Sequence, residues 1–332
     1  MDLSTTYLGL KLSSPLVVGA SPFADHTDSA RELQDLGASA LVMRSIFEEQ
    51  IYLDAAYRTG HERTKASEAT DPAAGAYFPS LSEYQLTPQQ YLRQIAYLKS
   101  SLSIPVIASL NGCRPGGWID YASRCADEGA DAIELNLYHI ATDPDASASE
   151  VEGEMLETVR LLKASVRIPV AVKLSVFHTS LVHFSRQLEK CGADGIVVFN
   201  RFYQLELNSE DLSADPQLRV SDSTELLLRV RWISILAARL RCSLAVTGGV
   251  HSADDVIKAT LAGAHAVQLV SVLLQQGPRF LATVLDGVQR WMRGHGYESL
   301  DQFRGVLNFD RCPDAAAFER GHYQRLLQTW RT

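Results

Sequence analysis

One phrase recurs four times along the chain and limits the possible folds more than any other feature. It reads Leu36-Gly37-Ala38-Ser39-Ala40, Glu128-Gly129-Ala130-Asp131-Ala132, Cys191-Gly192-Ala193-Asp194-Gly195 and Ala262-Gly263-Ala264-His265-Ala266. Each copy follows a stretch with helical spacing and leads into a short apolar run: ALVMR, AIELN, GIVVFN or AVQLV. Glycine suits a helix C-terminus, where a left-handed residue stops the helix. The runs lack polar alternation, as expected of strands buried on both faces of a parallel sheet. A second phrase alternates with the first: Ser14-Pro15 before LVVGA, Ile104-Pro105 before VIASL, Ile168-Pro169 before VAVKL, and Cys242-Ser243 before LAVTGG. Proline at a strand start removes a donor only at the edge. Interleaving the two phrases predicts eight strands, beginning near residues 16, 40, 105, 132, 169, 195, 243 and 266.

The intervening segments predict amphipathic helices over 88–101, 149–165, 180–190, 223–240 and 252–261. Asp222-x-x-Glu225 reads as a capping box for the fourth of these, and Ser252 as the cap of the fifth. Strands alternating with helices imply a parallel sheet, and eight such units imply one closed (β/α)₈ TIM barrel spanning 1–332. The rival, a doubly wound open sheet, lacks its GxGxxG after the first strand. Three segments exceed a minimal barrel. Residues 45–86 form an insertion after strand two, whose polar middle (RTGHERTKASEATDPAAGA) makes it a candidate lid. Residues 201–222 form an insertion after strand six, and 295–332 an aromatic-bearing extension expected to pack outside the barrel.

Composition narrows the function. The net charge of −8 comes with no Lys/Arg block, which argues against nucleic acid as the main partner. No apolar run approaches the roughly 18 residues needed to span a bilayer, and the N-terminus does not read as a signal peptide. The five cysteines are scattered without a CxxC, so a disulfide framework, a zinc knuckle and an iron–sulfur cluster are unsupported. A cytoplasmic location fits best.

Barrel enzymes draw their chemistry from the C-terminal strand ends. Here these are Ala20-Ser21, Arg44-Ser45, Ser109 with Asn111, Asn136 with Tyr138 and His139, Lys173 with Ser175, Asn200-Arg201, Thr247-Gly248-Gly249, and Ser271. The set is rich in amides, hydroxyls and cations and poor in carboxylates, so no metal site is expected. Thr247-Gly248-Gly249 before a helix suits a phosphate, because glycines let the backbone approach an anion; the plainer reading is a tight turn. Lys173 in an apolar strand needs an anionic partner or a lowered pKa. It could stand beside a cofactor's developing negative charge, form a Schiff base, or pair with Glu134. His139 is a candidate general base, or an ordinary loop histidine. Asn136 and Asn200 require hydrogen-bond partners, which a flat heterocycle or the barrel rim could supply.

Over roughly residues 5–295 the chain resembles the dihydroorotate dehydrogenases, the FMN-containing barrel group, as a divergent branch. The resemblance is carried by LSSPLVVGAS (12–21), IPVIASLNG (104–112), GADAIELNL (129–137), IPVAVKL (168–174), GADGIVVFNR (192–201) and TGGVHSADDV (247–256). It implies FMN at the strand ends, with Ala20 and Ser21 along the ring system and Lys173 at its pyrimidine edge. Gly248, Gly249 and Ser271 would hold the phosphate, and Ser109 and Thr247 would also contact the cofactor. Asn111, Asn136 and Asn200 would face flavin or substrate. It also implies proton removal coupled to hydride transfer to flavin N5, a place in pyrimidine biosynthesis, and a homodimer.

Four departures stand against that pattern. Arg44 replaces the usual lysine at the end of strand two, and the family's NSMGLPN-like substrate loop has no counterpart in 45–86. The stretch that should carry the base reads Asn136-Leu137-Tyr138-His139-Ile140-Ala141, which puts His139 at the base position. Strand eight ends Val270-Ser271 rather than Gly-Thr. The leading expectation is therefore an FMN-dependent oxidoreductase, with His139 as base, Lys173 stabilising reduced flavin and Arg44 binding an anionic substrate group. A Schiff-base lyase using Lys173 and a non-catalytic flavin- or phosphate-binding barrel are the alternatives.

Overall fold

In the computed structural model, residues 1–58, 84–201, 206–210, 212–215, 219–314 and 316–329 are described. Eight parallel strands close into a barrel. They are β1 (Leu16–Val18), β2 (Ala40–Phe47), β3 (Val106–Asn111), β4 (Ala132–Asn136), β5 (Val170–Leu174), β6 (Gly195–Val198), β7 (Ser243–Thr247) and β8 (Ala266–Leu269). Each pairs with the next in sequence, and β8 returns to β1. Every strand starts within about a residue of its predicted position. The four glycines of the recurring phrase, Gly37, Gly129, Gly192 and Gly263, all have positive φ, at 101°, 98°, 98° and 123°. This is the left-handed helix stop that the phrase predicted.

The alternation of side chains along each strand sorts the core into two layers. Val17, Ala40, Val42, Ile107, Ala132, Ala171, Val197, Ala245 and Ala266 point into the barrel. Their small size leaves room for a plug from an N-terminal hairpin, Thr5–Tyr7 with Leu10–Leu12, which inserts Tyr7, Leu8 and Leu12. Ser243 fastens the plug, its Oγ accepting from Leu8 N at 2.9 Å. The alternate strand residues, among them Leu16, Val18, Leu41 and Ile133, pack outward against the helices.

The predicted helices appear as α3 (Pro88–Ser101), α5 (Ala148–Ser165), α6 (Leu181–Lys190), α7 (Leu226–Ala237) and α8 (Ala253–Ala262), preceded by α1 (Thr27–Asp35), α2 (Glu48–Arg58) and α4 (Ile119–Asp127) in their places in the chain. Ser252 caps α8, accepting from Asp255 N at 3.2 Å. The capping box expected at Asp222-x-x-Glu225 does not form. Asp222 accepts from Thr224 N at 2.8 Å, over a 3-10 turn, and Glu225 is drawn instead to two arginines.

One boundary of the insertions shifts. Residues 45–47 belong to β2, so the excess chain after that strand begins at α2. The insertion after strand six contains a short hairpin, Glu206–Asn208 with Ser213–Asp215. The candidate lid, centred on 58–76, lies almost wholly outside the described residues. In the C-terminal extension Phe303 is fully buried against Trp291 and Tyr297, and Leu307 N donates to Leu261 O at 2.9 Å.

Candidate active site

A cavity of about 590 Å³ opens at the C-terminal strand ends. Inward-facing positions continue up the strands from the alanine-rich layer: Asn111 on β3, Asn136 on β4, Lys173 on β5, Thr247 on β7 and Gln268 on β8. Ala20 and Ser21 reach the wall beyond β1, Asn200 beyond β6, and Gly248, Gly249 and Ser271 beyond β7 and β8. Arg44 lines it from β2. Eleven of the thirteen predicted site residues therefore share one cavity. Ser109 and His139 do not line it.

Ser109 lies one layer deeper and supports the wall. Its backbone N donates to the Tyr91 hydroxyl at 2.8 Å, and its Oγ sits 2.7 Å from Ser45 Oγ. Ser45 reaches that position through a β-bulge. The register between β2 and β3 shifts between Val42 and Ser45, so β2 carries one extra residue and both Arg44 and Ser45 reach the cavity wall. Ser45 Oγ then accepts from Asn136 Nδ2 at 3.2 Å.

His139 is half-buried in the loop after β4, and it is Tyr138 beside it that lines the cavity. Cys113 ties this loop to the end of β3, its thiol donating to Tyr138 O at 2.8 Å. Burial first, then nearby Glu48 and Glu49, push the Cys113 thiol up to about 12, so it remains a protonated donor rather than a nucleophile. Glu48, packed against Gly112 and Trp118, is itself pushed from 4.5 to about 7 by burial and then by Glu49.

The site's charges are paired. Lys173 Nζ lies 2.9 Å from Glu134 Oε1, with both side chains buried, and Gln268 Nε2 donates to the other carboxylate oxygen. This is the partnered-lysine reading of Lys173, at a position that also faces the cavity. Arg44 grips Asp25, with Nη2 2.6 Å from Oδ2 and Nε 3.2 Å from both oxygens. Arg201 Nη2 lies 3.1 Å from Glu225 Oε1, and Arg229 Nη2 3.4 Å from Glu225 Oε2. Arg229 is buried behind Gly248, and burial lowers its pKa.

Gly248 and Gly249 have φ of +84° and +78°. A Cβ on Gly249 would stand 2.3 Å from Leu226 N, so the turn requires glycine whether or not an anion binds there. Ser221 completes that corner: its Oγ accepts from Gly249 N at 3.2 Å and lies 3.1 Å from His251 Nε2, while its N donates to Ser271 Oγ at 3.1 Å.

Several wall residues escaped the sequence reading. Gln268 had a signal, being the one polar residue in AVQLV. Ser221 and the segment Tyr84–Gln85–Leu86 belong to long connections without a periodic pattern. Among the described residues no group of three or more His, Cys, Asp or Glu could hold a metal ion, and no helix is long and apolar enough to cross a membrane.

Fold and site together define a (β/α)₈ barrel that presents amide, hydroxyl and cationic groups to a ligand at its strand ends. The dihydroorotate dehydrogenase family profile matches residues 2–292, and the chain belongs to that family. It is 25% identical over 319 residues to a putative dihydroorotate dehydrogenase A (fumarate) of Aeropyrum pernix, covering 92% of this chain and 98% of that one. It is 22% identical over 315 residues to the catalytic subunit of a dihydroorotate dehydrogenase B (NAD(+)) of Methanothermobacter thermautotrophicus, covering 92% and 98%. The corresponding subunit of Methanosarcina mazei is 25% identical over 313 residues, covering 92% and 95%. The protein is thus a dihydroorotate dehydrogenase-like oxidoreductase, from a family of flavoproteins that act on small molecules.

Proposed function

We propose that the chain is an FMN-dependent oxidoreductase that moves a proton and a hydride across a carbon–carbon bond of a small cyclic amide. The observation that carries this is a set of buried polar atoms without partners at the cavity: Ser21 Oγ, Asn136 Oδ1 and Gln268 Oε1. Leaving such atoms unsatisfied is costly, so a ligand with matching amide edges is favoured there. The isoalloxazine of FMN has those edges, and when bound it supplies a two-electron acceptor for hydride.

On this reading Ala20 and Ser21 flank the ring system, and Lys173, held by Glu134, presents its ammonium to the pyrimidine edge. Gly248, Gly249 and Ser271 hold the phosphate. Two guanidiniums, Arg201 and Arg229, stand beside this turn and share the carboxylate of Glu225. Asn111, Asn136 and Asn200 orient amide groups. Tyr138 stands on the wall where His139 was expected, and we assign it the proton, with His139 beside it in the loop.

The Schiff-base alternative needs a neutral amine at Lys173, and the Glu134 ion pair works against it. The test is an absorbance spectrum of purified protein followed by anaerobic turnover. A flavin spectrum bleached or restored by a dihydropyrimidine–pyrimidine couple is the expected result. Protein that binds no added FMN overturns the proposal, and flavin-loaded protein inert with every such couple indicates a non-catalytic barrel.

A further inference from the structure

Three cations line the cavity among the described residues, and each is already committed to a carboxylate: Arg44 to Asp25, Lys173 to Glu134, and Arg201 to Glu225. No Asp, Glu or His is among the described lining residues. The charges are unevenly placed. At the β6–β7 end two guanidiniums share Glu225. At the β1–β2 end Arg44 meets Asp25 one to one, and at the barrel centre Lys173 meets Glu134 one to one.

We infer that the substrate of this site is an uncharged cyclic amide and that Asp25 is the residue that selects against a carboxylated one. The inference rests on the proposed flavin-dependent reaction and narrows its substrate class.

With Lys173 assigned to the flavin edge and Arg201 beside the turn assigned to the phosphate, Arg44 is the described wall cation left to meet a substrate carboxylate. Its guanidinium uses both Nε and Nη2 on Asp25, the paired geometry in which arginine holds a carboxylate most firmly. Asp25 follows β1 at the end of a 3-10 turn, Pro22–Ala24, with its backbone N bonded to Pro22 O at 3.0 Å, so its position is set by the β1 loop. Its side chain is only 14% exposed. A substrate carboxylate brought to Arg44 would either displace Asp25 and strand it, or share the guanidinium and face a like charge at close range in a partly dehydrated cavity. An uncharged ring incurs neither cost. It finds amide and hydroxyl partners at Asn111, Asn136 and Tyr138 on the same wall.

The experiment compares two ligands that differ only in the carboxylate, uracil and orotate, titrated calorimetrically into the purified FMN-loaded protein. Turnover of the corresponding dihydro compounds is measured alongside. Uracil is expected to bind at least tenfold more tightly than orotate. Asp25→Asn, which frees Arg44, is expected to shift that ratio at least tenfold toward orotate, and Asp25→Ser to do the same should the first variant fold poorly. Orotate binding as tightly as uracil in the wild type, binding by neither ring, or an unchanged ratio in a folded Asp25 variant overturns the inference. Protein that takes up no FMN overturns the proposed function itself, whereas flavin-loaded protein that prefers orotate overturns only the choice of an uncharged substrate.

Discussion

Lys173 Nζ and Glu134 Oε1 lie 2.9 Å apart inside the barrel, on neighbouring strands and almost wholly shielded from water. The pair sits between the apolar plug below and the cavity above. Burial of two charges is tolerated because each is matched, with Gln268 satisfying the second carboxylate oxygen.

Breaking this pair from one side should therefore be severe. Lys173→Met leaves Glu134 buried with its charge unmatched, and Glu134→Gln leaves the ammonium so. Each should cost about 3–5 kcal/mol in urea unfolding. The double variant should cost less than the sum of the two. Strict additivity would show that the residues are not coupled.

The proton assignment separates two adjacent residues. Tyr138→Phe should lower kcat by roughly 10²–10⁴-fold, the usual contribution of a positioned acid or base, with flavin content unchanged. His139→Asn should lower it far less. The reverse order would return the role to His139.

Gly249, in the turn after β7, contrasts with Gly296 at a helix C-terminus. Gly296 has φ +73° and ψ 21° with no atom within 4 Å of an added Cβ, so Gly296→Ala should cost only the backbone term, about 1–2 kcal/mol. Gly249→Ala adds a clash with Leu226 N and the Glu225 carbonyl carbon, and should cost at least twice as much or prevent accumulation of folded protein. Equal melting temperatures for the two variants would contradict this account.

Two groups make stability depend on pH in opposite senses. Glu48 is raised from 4.5 to about 7 by burial and by Glu49, so the folded state binds its proton more tightly than the unfolded chain does. Its contribution is fully present below pH 4.5 and is lost as pH rises toward 7. His265 is lowered from 6.5 to about 4, chiefly by burial and then by Arg304; its contribution is present above 6.5 and is lost as pH falls toward 4. Over 4.5–6.5 the two slopes oppose each other. Melting curves should show Glu48→Gln stabilised at pH 8 and steepened in its acid loss, while His265→Asn loses stability as pH rises through the same window. Parallel pH profiles for both variants and the wild type would rule out these assignments.

The barrel was legible because its signals are local. Glycine at four helix stops, proline before three strands and unbroken apolar runs give strand count, order and boundaries without reference to distant residues. The rule that barrel chemistry sits at C-terminal strand ends carried Asn111, Asn136, Lys173 and Thr247 from sequence to cavity, and the fold places them there because each lies two or four residues beyond an inward-facing side chain. His139 shows where this stops. Past Asn136 the strand ends, and in the loop nothing periodic decides between Tyr138 and His139.

Which charges meet was decided only in three dimensions. The sequence alone identified Arg44 as an inward cation at the end of β2, yet Asp25, its partner, lies on the loop after β1 and carries no local mark of that role. The bulge that brings Ser45 to Ser109 and Asn136 is a register shift between two strands more than sixty residues apart. Hydrophobic pattern and backbone punctuation are properties of consecutive residues; ion pairing and register are properties of neighbouring strands. The architecture of this protein could thus be read along the chain, while the electrostatic balance of its cavity arose only when the barrel closed.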